Sequence, residues 1–337
     1  MLNSMYSGIS GLNANQRKLD VIGNNIANSG TTAFKASSIT FQDSMYQTIK
    51  SSSSASLNLG GTNPSQVGLG VSVQSINVNM GQGSLQPTGR PLDVAIDQTG
   101  YFVVGKGPES GKINLNNTTG SAAYKTVTSS DFETYFTRDG SFKLDDDGRL
   151  LTSNGYRIMG YQVSNGGLVS PSNTVGGSPD FVDADAVGTT SDQTKLVPLV
   201  IPETIKKAGV DVKIQSFSIE KDGLVKAVLS DGSTTVLGQV AMASFVNQNG
   251  LKQVGQNMYT PSSNSGDAVM RAGKGATGAA DNTKAYGDMV QGALEMSNTD
   301  LAVQFTDMIV ASRSFQACGK VISTGDEILQ ELVNLKR

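Results

Sequence analysis

Few side chains in this sequence could take part in catalysis or metal binding. The chain has one cysteine, Cys318, and no histidine. The lack of histidine excludes imidazole general bases, histidine-based zinc sites and Ser–His–Asp triads. One cysteine cannot form a disulfide within the chain, and no histidine is present to activate it. We therefore expect Cys318 to be a small, buried and unreactive side chain.

Three short patterns resemble known functional motifs but lack parts that those motifs require. The acidic run at 145–148 (Asp-Asp-Asp-Gly) has neither the alternating oxygen ligands nor the closing glutamate of an EF-hand, so it predicts a charged hairpin turn. Residues 273–278 match G-x-G-x-x-G, but no strand pattern precedes them and no helix pattern follows. Arg138 and Asp139 predict a salt bridge at a turn. We expect no catalytic residue, cofactor, metal site or enzymatic activity.

The elements that would position any site are two terminal helices. At each end of the chain, apolar residues recur at a spacing of three and four, which is typical of a coiled coil. A narrow apolar stripe cannot be buried by its own helix, so it needs a second helix from the other terminus or from a neighbour. The sequence thus predicts an assembly subunit whose polymerisation seam contains Leu2, Met5, Ile9, Leu12, Leu19, Ile26, Leu301, Phe305, Met308, Phe315, Ile322, Leu329 and Val333.

The region between the helices predicts strands and loops. Alternating apolar residues mark strands, and Asp-Gly or Asn-Gly pairs mark tight turns at 139–140, 147–148, 154–155, 222–223 and 231–232. Residues 105–130 are polar and predict a surface insertion. The fold class expected is α+β, with terminal helices forming a coiled-coil inner layer, an all-β central domain and a small or vestigial outer insertion.

The predicted domain organisation has five parts. They are an N-terminal coiled-coil helix (1–28), an extended linker (29–70), a β-rich core (71–162 and 196–296), an outer loop or small subdomain (163–195) and a C-terminal coiled-coil helix (297–337).

Composition excludes several classes of partner. The chain has 337 residues, a net charge of −3 and only 16% charged residues, so it shows no footprint for nucleic acid. No apolar run approaches the roughly 20 residues of a membrane span. The N-terminus lacks the pattern of a cleaved signal peptide. We expect a chain that is cytoplasmic or exported without a cleaved signal.

Several stretches resemble the family of bacterial flagellar rod and hook proteins. The family signature reads roughly A-N-N-[IL]-A-N-x-x-T-x-G-[FY]-K, and residues 23–28 and 31–35 are similar to it, although Gly23 replaces the usual alanine and Ala33 the usual glycine. Further similarity lies at 88–96, 100–104, 137–142, 148–152, 250–259 and 292–298, so it covers nearly the whole chain except about 105–130 and 163–195. The motif residues are Asn24, Asn25, Ala27, Asn28, Phe34 and Lys35.

The resemblance implies a helical polymer with a central channel. Residues 60–64 and 334–337 look hook-like, which implies a flexible universal joint that transmits motor torque to the filament. A distal rod protein, a rigid drive shaft, is the alternative. The implied partners are the chain itself, the distal rod protein, the hook cap, the hook–filament junction protein and the flagellar export apparatus, with no nucleic acid or small-molecule substrate. The implied location is extracellular, in the hook or basal body, after export without a cleaved signal peptide.

Two other classes of protein would require different sequence features. A secreted enzyme with helical dimerisation ends would need a pocket with convergent titratable groups, and the sequence shows none. An adhesin on a coiled-coil stalk would need one continuous stalk rather than helices at opposite termini.

Overall fold

The computed structural model describes residues 2–54, 60–108, 111–117, 125–165, 168–169, 180–184, 189–192, 194–270 and 287–335. The chain forms two compact units. The first comprises Met1–Gly30, Lys35–Asn79 and Thr299–Arg337, and the second comprises Thr31–Phe34 and Met80–Asn298. The G-x-G-x-x-G pattern at 273–278 lies outside the described residues.

The first unit contains both helices and four strands. They are α1 (Leu2–Ala27), β1 (Ser37–Asp43), β2 (Tyr46–Lys50), β3 (Ser65–Gly68), β4 (Val71–Val78) and α2 (Leu301–Leu335). β1 pairs antiparallel with β4, and β2 pairs antiparallel with β3. The structure thus places three strands in the segment where the sequence predicts a linker, and it places β4 with the helices rather than in the β core.

The N-cap of α2 is Asp300. Its carboxylate accepts hydrogen bonds from the backbone N–H groups of Ala302 and Val303, at 2.9 and 3.3 Å. A short acidic side chain there satisfies N–H groups that lack a partner in the first turn, and its charge interacts favourably with the positive end of the helix dipole. The helix therefore begins after Asp300, whereas the sequence predicts a helical segment from residue 297.

The second unit is built almost entirely of strands, with one short 3-10 helix at Gln248–Gly250. The strands are β5 (Leu85–Pro87), β6 (Val94–Ile96), β7 (Tyr101–Lys106), β8 (Ile113–Asn117), β9 (Lys125–Ser130), β10 (Glu133–Thr137), β11 (Phe142–Leu144), β12 (Leu150–Thr152), β13 (Arg157–Tyr161), β14 (Val163–Asn165), β15 (Leu168–Val169), β16 (Thr190–Ser191), β17 (Lys195–Pro198), β18 (Thr204–Lys207), β19 (Val210–Ile219), β20 (Leu224–Leu229), β21 (Thr234–Val240), β22 (Met242–Ser244), β23 (Lys252–Gly255), β24 (Met258–Thr260), β25 (Val269–Met270), β26 (Met289–Gln291) and β27 (Ala293–Glu295).

Most of these strands join one antiparallel sheet. Its order is β18-β19-β20-β21-β13-β17-β8-β9-β25-β22-β7-β10-β24-β23, with β11 and β12 attached beside β13. β14, β15 and β16 form a small separate sheet. The last strands return to the first, because β26 pairs with β6 and β27 pairs with β5. Two helices at the ends of a β-rich middle are the arrangement that the sequence predicts.

The core of the second unit lies on both faces of β7. Phe102 and Val104 belong to one buried apolar cluster, and Tyr101 and Val103 belong to another. Side chains alternate between the two faces of a strand, so a strand covered on both sides is apolar at every position. This explains why residues 101–104 form a continuous apolar run.

Four of the five predicted tight turns join neighbouring strands. Gly148, Gly155, Gly223 and Gly232 all have positive φ, between 73° and 82°, and they lie in the hairpins β11–β12, β12–β13, β19–β20 and β20–β21. The fifth pair, Asp139-Gly140, does not close a hairpin. A Cβ on Gly140 would lie 1.6 Å from the Val94 carbonyl oxygen, so glycine is required there by a close backbone approach.

Two polar segments contribute to the β unit more than their composition suggests. Within 105–130, β8 and β9 pair, and Ile113 and Leu115 are buried. Within 163–195, where the sequence predicts an outer loop, Val163 and Ala184 pack on Leu224 and Val236. The described parts of both segments therefore supply core side chains, because a few alternating apolar residues suffice to bury one face of a strand.

The β18–β19 hairpin contains a residue in an unfavourable conformation. Ala208 and Gly209 form its two-residue turn, with φ of 49° and 85°, which is the geometry of a type I′ turn. We expect Ala208→Asn to raise the free energy of unfolding by about 0.5–1 kcal/mol, because asparagine tolerates positive φ better than alanine. Urea denaturation measures this. The control Ala208→Val should lower the free energy of unfolding. Equal effects of both changes would show that the positive φ at residue 208 does not limit stability.

Candidate functional site

The two terminal helices pack antiparallel through small residues. A Cβ placed on Gly11 would lie 2.8 Å from Cys318 Sγ, and one on Gly8 would lie 3.2 Å from a side-chain carbon of Ile322. Gly325 faces Met5 in the same way, at 3.2 Å. Such spacing lets the helix backbones approach closely, because a larger side chain at these glycines would meet the other helix. Ala14 and Ala311 are the buried alanines of the two helices.

Polar side chains form an ion pair and hydrogen bonds across the other half of the α1–α2 interface. Lys18 Nζ lies 3.0 Å from Asp307 Oδ1, and both side chains are partly exposed. Asn25 Nδ2 donates to Gln304 Oε1 at 3.1 Å and to the Ser37 carbonyl oxygen at 2.8 Å. The Asn25 side-chain oxygen accepts from the Ser37 backbone N–H at 2.9 Å, and Asn25 is 1% exposed. One amide thus connects α1, the start of β1 and α2.

The thirteen residues predicted as the seam do not all lie between the two helices of one chain. Seven are half-buried: Met5, Leu12, Leu19, Ile26, Met308, Ile322 and Leu329. Five are exposed: Ile9, Leu301, Phe305, Phe315 and Val333. The description of Leu2 covers its backbone only. Small residues lie between the two helices together with Met5 and Ile322 of the predicted seam, and the small residues of α2 repeat every seven positions as Ala311, Cys318 and Gly325.

α2 carries a further exposed apolar stripe that sequence analysis missed. Its members are spaced by seven or eleven residues, so they share one helix face. They are Val303, Val310, Val321, Ile328 and Leu335, and Leu332 lies beside them. β-Branched and leucine side chains on a water-exposed helix face indicate a surface that is covered in an assembly.

The β2–β3 hairpin is also exposed on both faces. Its large apolar residues Met45, Tyr46, Ile49 and Val67 are all open to solvent. A two-stranded hairpin without a covered face is marginally stable in water. Contact with a neighbouring molecule would stabilise this hairpin, so it is a second candidate contact surface.

The N-terminal motif residues have separate structural roles in the first unit. Asn28 ends α1 with its side-chain Nδ2 donating to the Asn24 carbonyl and side-chain oxygens, at 2.9 and 3.0 Å. Ala27 is exposed, whereas Lys35 is almost completely buried. These roles concern local structure, and none of them places a reactive group in a cleft.

Phe34 belongs to the second unit, together with Ala33. The Asn298 backbone N–H donates to the Phe34 carbonyl at 3.3 Å, and the Ala33 N–H donates to the Glu295 carbonyl at 2.8 Å. Ala33 has a φ of 54°. Glycine adopts this conformation without strain, which explains why the family signature usually has glycine at this position.

Arg138 and Glu295 form a buried ion pair in the second unit. Arg138 Nε donates to Glu295 Oε2 at 2.7 Å, and the two side chains are 2% and 0% exposed. The other guanidinium nitrogens donate to the carbonyl oxygens of Ile96, Gln98 and Gly100, at 2.9–3.2 Å. The guanidinium is thus surrounded by acceptors, as a buried charge requires.

The predicted Arg138–Asp139 salt bridge is wrong. Asp139 instead accepts hydrogen bonds from the Ser141 hydroxyl at 3.0 Å and from the Thr32 hydroxyl at 3.2 Å. The second oxygen of Glu295 accepts from the Gly83 backbone N–H at 2.9 Å. The pair therefore joins segments that are far apart in the sequence.

Two tyrosines line the same buried region. The rings of Tyr101 and Tyr259 meet edge to face with centroids 5.7 Å apart, and the Arg138 guanidinium lies 5.8 Å from the Tyr101 centroid. Burial raises the pKa of the Tyr101 phenol, and it raises the pKa of Tyr259 to about 12. Both phenols stay protonated at physiological pH, so neither is a base for chemistry.

No reaction chemistry emerges from the described side chains. Within the part of the chain that the structure describes, no three potential metal ligands cluster together. The helices described there also include none that is both long and apolar enough to cross a membrane. The notable surfaces are the apolar ones on α2 and on the β2–β3 hairpin.

Comparison with known proteins decides the family. Models described as "Flagella basal body rod protein", "Flagellar hook protein FlgE/F/G D1 domain" and "Flagellar basal body rod FlgEFG protein C-terminal" match residues 5–35, 120–227 and 290–335. The flagellar basal-body rod protein FlgG of Bacillus subtilis is 40% identical over 339 residues, with 100% of both chains covered. The chain belongs to the flagellar rod and hook protein family. It is therefore a structural protein associated with the bacterial flagellum.

Hook proteins are also among the relatives of this chain. The flagellar hook protein FlgE of Borreliella burgdorferi is 27% identical over 473 residues, with 100% of both chains covered. The crystal structure of Helicobacter pylori flagellar hook protein FlgE2 covers 63% of this chain and 100% of its own, at 10% identity and a TM-score of 0.39. The D1 family model spans 163–195, the segment that the sequence predicts as an outer insertion.

Proposed function

We propose that this flagellar protein polymerises with copies of itself into a helical axial structure, and that it serves there as a rod subunit. The exposed apolar surface of α2 carries this proposal. Leu301, Phe305 and Ile309 lie on one side of the helix, and the Val303–Val310–Val321 stripe lies on another. A chain with such surfaces gains free energy when other helices cover them.

A second copy is the natural partner for these faces. Helices with several apolar stripes associate with more than one neighbour, as in coiled-coil assemblies. When the contacting surfaces on one molecule differ, the contact is heterologous, and it builds an open helical polymer if the rotation between copies does not close into a ring. We propose that 1–28 and 297–337 form a coiled-coil inner layer in this way.

The preference for rod over hook rests on chain length and identity. The alignment with the Bacillus subtilis rod protein spans 339 positions, close to the 337 residues of this chain. The alignment with the Borreliella hook protein extends to 473 positions at lower identity. A rod subunit would act as a rigid drive shaft, and its neighbours would be axial proteins above and below it.

A hook subunit is the second candidate. The hook-like residues 60–64 favour it, and they lie before β3 of the exposed hairpin. In that case the polymer would be a flexible joint that transmits torque, with the distal rod protein, hook cap and hook–filament junction protein as partners. Either role implies delivery to the cell exterior by the flagellar export apparatus, without a cleaved signal peptide.

Electron microscopy of polymer grown from the purified full chain separates these roles. We expect straight, rigid rods, because a rod subunit must form equivalent contacts around the whole axis. Curved, bendable tubes would support the hook assignment instead. A chain that stays monomeric at high concentration, while its β unit unfolds cooperatively, would contradict self-assembly altogether.

A further inference from the structure

The small residues between α1 and α2 allow close approach but define register weakly. On α2, the residues that face α1 repeat every seven positions as Ala311, Cys318 and Gly325. Sliding α1 by one heptad in one direction would place Gly325 beneath Gly11 in place of Cys318, and Leu329 beneath Gly8 in place of Ile322. Packing alone therefore distinguishes poorly between registers that differ by seven residues.

Asn25 removes this degeneracy because its amide is buried and fully bonded. Its side chain makes three hydrogen bonds, two with the Ser37 backbone and one with Gln304, at 2.8–3.1 Å. A shift of one heptad would place Ala311 opposite Asn25 in place of Gln304, and alanine has no side-chain acceptor. A buried amide left without its partner is unfavourable, so the shifted register is disfavoured.

The second polar contact of the interface is less selective. Lys18 and Asp307 lie 3.0 Å apart, but their side chains are 23% and 43% exposed. Ion pairs that remain in contact with water contribute little, and long side chains reach alternative partners. The Asn25 amide therefore contributes most of the free-energy difference between the registers.

We infer that Asn25, with Gln304, sets the register of the α1–α2 pair. It is a positioning residue rather than a contact to a neighbouring copy. Its consequence for assembly rests on the proposed function: identical copies can form one regular polymer only if each presents the apolar residues of α1 and α2 at the same relative height. A buried polar residue that selects one register at some expense of stability is a known device in coiled coils.

The native cysteine supplies a direct probe of register. A Cβ on Gly11 would lie 3.8 Å from Cys318 Cβ, the mean separation in disulfides. Gly11→Cys should thus oxidise to an intrachain disulfide with Cys318 in the native register. In the register that places Ala311 opposite Asn25, residue 18 takes the place of Gly11 opposite Cys318, so Lys18→Cys reports that shifted register.

The test introduces Asn25→Leu into each cysteine variant of the full chain. Intrachain disulfide is measured by mass spectrometry after mild oxidation of dilute monomer. We expect the ratio of Gly11→Cys to Lys18→Cys crosslinking to fall by about tenfold, with crosslinking through Lys18→Cys rising in absolute terms. The matched control is Asn24→Leu, because Asn24 is the exposed neighbour of the same residue type; it should leave both yields unchanged.

Two outcomes would overturn the inference. One is an unchanged crosslinking ratio in Asn25→Leu. The other is loss of the Gly11→Cys crosslink with no gain at Lys18→Cys, which would make Asn25 a stabilising residue without a role in register. Both measurements are made on monomer, so they stand apart from the proposed function, which fails if the unmodified chain forms no polymer.

Discussion

Glu295→Ala is expected to lower the free energy of unfolding of the β unit by about 3–5 kcal/mol, because it leaves a buried guanidinium without its counter-charge. Arg138 is 2% exposed and cannot turn to solvent without breaking its bonds to three carbonyl oxygens. The Gly83 N–H loses its acceptor at the same time. Urea denaturation followed by circular dichroism measures the effect.

Two further variants give this prediction its controls. Glu203 is 84% exposed in the same unit, so Glu203→Ala should change stability by less than about 0.5 kcal/mol. The double variant Arg138→Met, Glu295→Leu removes both charges and should recover the part of the loss that comes from the unpaired guanidinium. A loss below about 1 kcal/mol in Glu295→Ala would mean that the guanidinium is satisfied without the carboxylate.

The Arg138–Glu295 pair shows where sequence reasoning reached its limit. Both residues lie in stretches that resemble the family, yet they are 157 positions apart. Adjacent Asp139 was the obvious partner by spacing. Only the return of β27 to β5 brings Glu295 to Arg138, and long-range pairing of this kind leaves no periodic signal in one sequence.

Local signals were far more informative. The terminal helices follow from apolar spacing, and the four glycine hairpin turns follow from dipeptides that favour positive φ. Residues 105–130 and 163–195 carry weaker local signals, because their strands contain few apolar residues. In such strands, burial is decided by the neighbours in the sheet rather than by composition.

The helix interface shows a different limit of sequence reasoning. The sequence predicts a polymerisation seam of large apolar side chains, covered by the other terminus or by a neighbouring chain. In the structure, small residues such as Gly11 and Ala311 lie between the two helices of one chain, and large residues such as Phe305 remain outside that contact. Glycine and alanine carry little hydrophobic signal, although they determine how closely two helices approach. The large residues are then available to other molecules.

Because the large apolar residues of α2 are exposed in the isolated chain, we expect substitutions there to have a large effect on polymerisation. Phe305 is 50% exposed in the isolated chain, so Phe305→Asp should leave monomer stability within about 0.5 kcal/mol of the unmodified protein. Polymerisation should be abolished at concentrations where the unmodified chain assembles. Every subunit would bury an unpaired carboxylate in the polymer, at a cost of several kcal/mol each. Sedimentation and electron microscopy measure polymer yield, and circular dichroism checks the fold.

A neighbouring residue provides the matched control for charge and position. Thr306 is exposed on the next position of α2 and its hydroxyl donates only within the helix, to the Ala302 carbonyl at 2.9 Å. Thr306→Asp adds the same charge in the same turn of the helix, on the polar strip that Thr306 shares with Arg313 and Lys320 at intervals of seven residues. It should polymerise at a concentration close to that of the unmodified chain. Equal loss of polymer in both variants would point to added charge as the cause, and normal polymer from Phe305→Asp would show that this side of α2 faces solvent in the assembly.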